Sequence, residues 1–323
     1  SFDGCGVASG DELASLGLLR VSARFDQLTH LSLGGTRMPV DAICAAVAIL
    51  VHNPTRPALS LDCSRNQLGF VGGLKLAAVL RGAVSLKALE AADNEFGAGG
   101  VCALADTLRG VSSLTSLGLA RNVRTPPRRA PERPASPPTV AEDDAACEGG
   151  TTDLDLAEYK DVDARRAFRA IGRLLSDRRC ALCSLDISGE PSSHAVPDEQ
   201  TALLLALAQC ETLTSVDVSG HLSGSSPGLL GAMLHLLRKS RSLRDLAIHR
   251  NGLDSASLRA VLGGWRRRNL TLRRLTLFAA DPRDVPCRIA LAHETASPKL
   301  AAELIDEAEL ISSRNRRLAE AVD

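Results

Sequence analysis

The chain has 323 residues, with 38 Lys and Arg against 38 Asp and Glu, so its formal charge is zero. That balance gives no electrostatic case for nucleic acid or an acidic membrane as partner. Hydrophobic residues make up 45% and aromatics only 2%, so any core must be built from Leu, Ala and Val. No signal peptide is evident and no apolar run approaches the ~18 residues of a membrane span, so a soluble, cytoplasmic chain without a transmembrane segment is expected.

In chain order, residues 1–27 read as an N-terminal flank or cap. From Leu28 a phrase recurs: leucine, two residues, leucine, one residue, an apolar residue, two residues, then often Asn. It begins at Leu28, Ala58, Leu86, Leu114, Leu182, Leu213, Leu243 and Leu272. Six of the seven steps are 28 to 31 residues, and the fourth is 68. The paired apolar positions, such as Leu31/Leu33, Leu117/Leu119 and Leu275/Leu277, alternate as in a short strand with one buried face. Asn66, Asn94, Asn122 and Asn251 fill the ninth position. An amide there can satisfy backbone groups in the turn after the strand and form a ladder along a stack. Thr36, Glu190, His221 and Ala280 replace it elsewhere, which predicts less regular turns.

Between phrases the apolar period changes to about 3.6, predicting helices at Val40–His52, Gly72–Arg81, Ala98–Arg109, Ala164–Ser176, Asp198–Cys210, Gly228–Lys239 and Ser255–Arg267. A strand plus a full helix in roughly 28–30 residues is the long form of leucine-rich repeat, similar to ribonuclease inhibitor. The expected fold is therefore an α/β leucine-rich-repeat solenoid, or horseshoe. Parallel strands line its concave face and helices its convex face. About eight repeats would span 28–296, and a capping helix 297–323. In that helix Leu300, Leu304, Ile311 and Leu318 are expected to pack inward, with Glu303, Glu307, Arg314 and Arg317 facing water.

The long step implies an insertion near 123–161, first rich in Arg and Pro and then acidic. It lacks the apolar residues that offset ordering entropy, so a disordered loop is expected. Within it Arg128, Pro131 and Pro134 form a basic residue followed by PxxP, the spacing of an SH3 ligand. A plain flexible loop is the alternative.

Cysteines are read as core residues at Cys44, Cys63 and Cys102, since free Cys buries readily. Cys180 and Cys183 form a CxxC, but no second pair completes a metal site, so no metal or cofactor is expected. Trp265 should pack between helices. No HExxH, GxSxG or phosphate-cradling loop occurs, so no catalytic residue is assigned and a non-enzymatic chain is expected.

Binding residues are sought instead on the strand face. Asp62, Glu90, Asp186 and Asp217 share one register and predict an acidic row, interrupted at Gly118. Arg244, His249, Arg250, Arg273 and Arg274 make the C-terminal end basic. Such a polarised surface fits a protein partner, or plain solvation of a curved sheet.

The segment from about Ser112 to Val322 resembles the leucine-rich-repeat domain of the CARMIL family, actin-regulating scaffolds that link capping protein to myosin-I. The resemblance rests on LCSLDISG, LTSVDVSG and LRDLAIHRNGLDSASLRAVLGGWRRRN in the family's order. It rests also on LTLRRLTLFAADPRDV, followed by the charged helix PKLAAELIDEAELISSRNRRLAEA, and on a lengthened loop at about the family's position. It implies a protein-interaction scaffold for actin-regulatory partners at the cytoskeleton or membrane cortex. It also implies dimerisation through helices that follow the repeats. No residue matches the family's capping-protein-binding motif, so no family binding residue is carried over. Two other readings share the repeat type: a RanGAP-like GTPase activator, and a general immune or flagellar leucine-rich-repeat scaffold.

Overall fold

A computed structural model describes residues 28–52, 54–55, 57–123, 164–189, 197–220, 227–277 and 298–320. Eight short strands form one parallel sheet in strictly sequential order. They are β1 His30–Ser32, β2 Leu59–Asp62, β3 Leu86–Glu90, β4 Ser116–Gly118, β5 Ser184–Asp186, β6 Ser215–Asp217, β7 Asp245–Ala247 and β8 Arg274–Thr276. Each is followed by a helix: α1 Val40–Val51, α2 Gly69–Leu80, α3 Gly97–Leu108, α4 Ala164–Leu175, α5 Pro197–Gln209, α6 Pro227–Lys239, α7 Ser255–Arg268 and α8 Pro298–Glu320. A parallel pair needs a crossover, and a helix supplies it. The open sheet with helices on one side is a leucine-rich-repeat solenoid, and the helix bounds fall within three residues of those read from the sequence.

The register explains why the phrase recurs. Leu31, Leu61, Leu89, Leu117, Leu185, Val216, Leu246 and Leu275 pair strand to strand as one row. All but the half-buried Leu31 are buried, in one core cluster that runs from Leu33 to Ile311. With so few aromatics, the layers must be thin. Glycine sets the spacing where α2 meets α3. A Cβ on Gly73 would lie 3.0 Å from the Gly100 Cα, so a side chain there would press the two helices apart; one on Gly100 would lie 2.9 Å from the Cβ of Phe96 at the start of its own helix.

The turns after the strands are joined by a second ladder. The Asn94 amide, fully buried, donates to Ala91 O and to Cys63 O of the preceding repeat, both at 3.0 Å. Its Oδ1 accepts the Asn66 N–H at 3.0 Å, and Asn122 Oδ1 accepts the Asn94 N–H at the same distance. Asn122 repeats the pattern on Ala91 O and Leu119 O, and Asn251 on Val218 O and Ile248 O. Thr36 was expected to give a less regular turn. Instead its hydroxyl donates to Leu33 O at 2.8 Å and lies 3.1 Å from Asn66 Oδ1, so a shorter side chain takes the same place.

The 68-residue step leaves the stack intact. Leu119 N–H donates to Asp186 O at 2.7 Å and Arg121 N–H to Ser188 O at 2.6 Å, so β4 and its turn pair directly with β5. The inserted residues, including the SH3-like Arg128, Pro131 and Pro134, lie outside the described residues apart from Val123. So do the N-terminal flank and the Asn-position residues Glu190, His221 and Ala280.

The last helix, α8, covers the open end. Leu304 and Ile311 are buried against the core. Asn315, not singled out in the sequence, is fully buried and donates to Asn269 O at 3.1 Å and Leu272 O at 2.7 Å. Trp265 also donates to Leu272 O, at 3.1 Å, and is fully buried. Leu318 departs from expectation: it is 44% exposed, beyond the part of α8 that meets the repeats. Arg314 is half-buried, its Nη1 donating to Arg266 O at 2.9 Å. The lining of Leu300 is outside the described side chains. None of the described helices is long and apolar enough to cross a membrane.

Removing the Asn94 amide leaves the Asn66 N–H and the Cys63 and Ala91 carbonyls without it. Asn94→Ala is expected to cost about 2–3 kcal/mol of stability, read as a lower urea midpoint, while Val84→Ala on the exposed surface should change little.

Candidate functional site: the concave strand face

Alternation along each strand fixes which side chains reach the concave face. The central apolar residue points into the core, so its two neighbours point outward. The register then sets Asp62, Glu90, Gly118, Asp186, Asp217, Ala247 and Thr276 side by side as one row. Ser60, Ala88, Ser116, Ser184, Ser215, Asp245 and Arg274 form the adjacent row.

The three aspartates of the acidic row share one local geometry. Asp62 Oδ1 accepts the Ser64 N–H at 2.9 Å, Asp186 Oδ1 that of Ser188 at 2.8 Å, and Asp217 Oδ1 that of Ser219 at 2.9 Å. These are Asx turns, in which a short carboxylate caps a backbone N–H two residues on. The repeated triplets Asp-Cys-Ser, Asp-Ile-Ser and Asp-Val-Ser carried that signal in the sequence. Each carboxylate is thus fixed by the fold, with Oδ2 directed elsewhere; that of Asp62 takes the Ser32 hydroxyl at 3.3 Å.

Glu90 behaves differently. Its longer side chain lies across Gly118, where a Cβ would coincide with the carboxylate. The gap in the row is therefore filled by its neighbour. Loss of hydration in this position pushes the Glu90 carboxyl above its ordinary pKa, and the nearby Asp186 and Asp62 charges act in the same sense. The Ala92 N–H and Arg121 oppose them.

The basic residues do not form one patch. Arg244 and Arg273 stand at the edge where the strands begin, linked through the Arg273 N–H on Arg244 O at 2.7 Å. Arg274 is on the concave face, with Nε 3.6 Å from Asp245 Oδ1. Arg250 is at the opposite rim, in a left-handed turn with φ 57°. His249 is half-buried and adds no fixed charge at neutral pH. Burial pushes its pKa below 6.5, Arg250 acts the same way, and Asp217 and Asp186 oppose. Its Nδ1 shares a 2.7 Å hydrogen bond with the buried Ser219 hydroxyl, a contact the sequence reading had not found. Ser219 is too enclosed to meet a substrate, so the pair reads as part of the turn network.

Cys44, Cys63 and Cys102 are buried, and burial raises all three thiols, Cys44 and Cys102 to about 11. Cys180 interacts with Cys210 of the next repeat, not with Cys183 of its own CxxC, and that neighbour lowers the Cys210 thiol from its ordinary value. Among the described residues no group of three or more His, Cys, Asp or Glu could hold a metal ion.

No protein-family model and no curated protein matches the sequence. Among solved structures, the chain is similar to the leucine-rich repeat-containing protein LegL7 from Legionella pneumophila. Identity is 15%, covering 93% of this chain and 88% of that one, with a TM-score of 0.45. A chain of the Rad7 and Elc1 complex in yeast is similar at 14% identity, covering 90% of this chain and 82% of that one, with a TM-score of 0.29. Both likenesses are too distant to carry function, and the repeat architecture rests on the strand register.

The Glu90 shift has a defined sign. A carboxyl raised in the folded state binds its proton more tightly there, so it favours folding below the unfolded value of 4.5. That contribution is lost as pH rises through the raised folded value. Glu90→Gln is therefore expected to melt higher than the parent at pH 7, with the difference shrinking as pH falls towards 4.5; thermal melts across that range check it.

Proposed function

We propose that this chain is a non-enzymatic protein-interaction scaffold whose partner lies along the concave face and presents basic residues to the acidic row. The observation that carries this is the fixed row Asp62–Glu90–Gly118–Asp186–Asp217. Four carboxylates on five adjacent strands repel one another, and an approaching cationic surface relieves that repulsion. The finer reading is an actin-regulating scaffold of the capping-protein and myosin-I linker type, acting at the cytoplasmic cortex. What supports it is the resemblance over Ser112–Val322 described above, above all the last strand leading into a charged helix.

Asparagine keeps the Oδ1 acceptor of an Asx turn and removes the charge. The triple variant Asp62→Asn, Asp186→Asn, Asp217→Asn should therefore fold with little change in melting. It is expected to bind a purified myosin-I tail about tenfold more weakly at low salt, measured by biolayer interferometry on immobilised chain. Equal binding by parent and variant would remove the concave row from the proposal. No binding of the myosin-I tail by the parent, with stimulated GTP hydrolysis on a small GTPase, would replace the actin reading by the GTPase-activator one.

A further inference from the structure

The convex side carries a feature that the scaffold reading does not use. A half-open groove of about 550 Å³ lies between α6 and α7, lined by Gly231, Leu234, His235 and Arg238 of α6 and by Ala260, Gly264 and Arg267 of α7. Its size is within the range of about 300–1,000 Å³ common to ligand clefts.

Two of its glycines differ in what they do. Gly264 has a packing reason, since a Cβ there would lie 2.7 Å from Leu234 Cδ2. Gly231 has none: it is exposed in the middle of α6, and a Cβ there would meet nothing within 4 Å. A glycine inside a helix costs roughly 1 kcal/mol against alanine, and here it relieves no contact. The space over it is open to the groove.

The rim is cationic. Arg267 donates Nε to Gly263 O at 3.1 Å, which folds its guanidinium back over the helix beside the groove. Arg238 places Nη2 3.2 Å from His235 Nδ1. Neither arginine has a carboxylate within 4.0 Å among the described residues, whereas Arg259 and Arg266 on α7 pair with Glu303 and Glu307 of α8, each at 3.8 Å. Lys239 and Arg241 add exposed positive charge at the end of α6.

We propose that the α6–α7 groove is a second docking site, for an acidic peptide segment of a partner protein that seats one aliphatic side chain beside Gly231 and its carboxylates on Arg238 and Arg267. Charge complementarity selects the occupant: the slot takes an apolar side chain, and the two guanidinium groups favour anions at its mouth. The site is on the opposite side of the solenoid from the acidic row, so two partners of opposite charge can bind at once.

Fluorescence anisotropy of the full chain with a labelled peptide of alternating Glu and Leu provides the test. Two control peptides carry Lys for Glu and Ser for Leu. The Glu/Leu peptide is expected to bind in a salt-sensitive way and both controls at least about tenfold more weakly. Arg238→Glu with Arg267→Glu should weaken it about tenfold or more. Gly231→Leu should do the same while raising the melting temperature by on the order of 2 °C, since a better helix former replaces glycine. That gain separates a blocked groove from a misfolded chain. The inference is overturned if the Glu/Leu peptide fails to bind, if either control binds as well, or if the Gly231→Leu variant binds unchanged.

Discussion

The structure depends on each turn handing its backbone hydrogen bonds to the next repeat. A strand of three residues cannot hold a sheet alone, and a lone repeat cannot bury its apolar face. The link is made twice. Gly35, Arg65, Asp93, Arg121, Gly189 and Gly220 each donate a backbone N–H to the following repeat. The side chains of Asn66, Asn94 and Asn122 reach back to the preceding repeat, donating to its carbonyls and accepting its N–H groups. Because the amide is buried, its loss is expensive, and because it bridges two repeats, its loss is felt by both. In the repeats without Asn at this position, the backbone bonds of Gly189 and Gly220 continue the ladder.

That ladder also sets the electrostatics. Parallel strands are about 4.8 Å apart, and unit charges at that distance repel by roughly 1 kcal/mol in water and by several at a protein surface. Asp62, Asp186 and Asp217 are held in place by the Ser64, Ser188 and Ser219 amides, so they cannot turn away. Glu90 is longer and lies across Gly118, into the gap between its own strand and that of Asp186. The Glu90 carboxyl is raised first by its loss of hydration there, and the Asp186 and Asp62 charges add to that. Such a row is ready for a cation without rearrangement, which favours fast, salt-sensitive association.

The repeat was legible because its period is written in leucine and asparagine, and a parallel sheet in sequential order follows from equal steps. The acidic row was legible for the same reason: a shared phrase position becomes a shared register. What escaped the reading depends on neighbours in space. The placement of Arg244, Arg273, Arg274 and Arg250 on three different rows is decided by strand phase, so a list of basic residues merged what the sheet separates. Leu318 has helical spacing with Leu304 and Ile311, but α8 extends past the repeat it covers, and periodicity carries no information about where a neighbour ends. Asn315 looked like a polar residue of a charged helix, whereas the carbonyls it satisfies belong to Asn269 and Leu272. Gly231 was visible as a glycine inside a helix. That nothing touches it was not.

The ladder can be tested amide by amide. Native-state hydrogen exchange should show the N–H groups of Asn66 and Asn94, which donate to the amide oxygens of Asn94 and Asn122, exchanging only through opening as costly as that of the Leu61 and Leu89 strand amides. Exchange at rates typical of an exposed turn would contradict the account, since the turns would then be passengers on the sheet and not what joins the repeats.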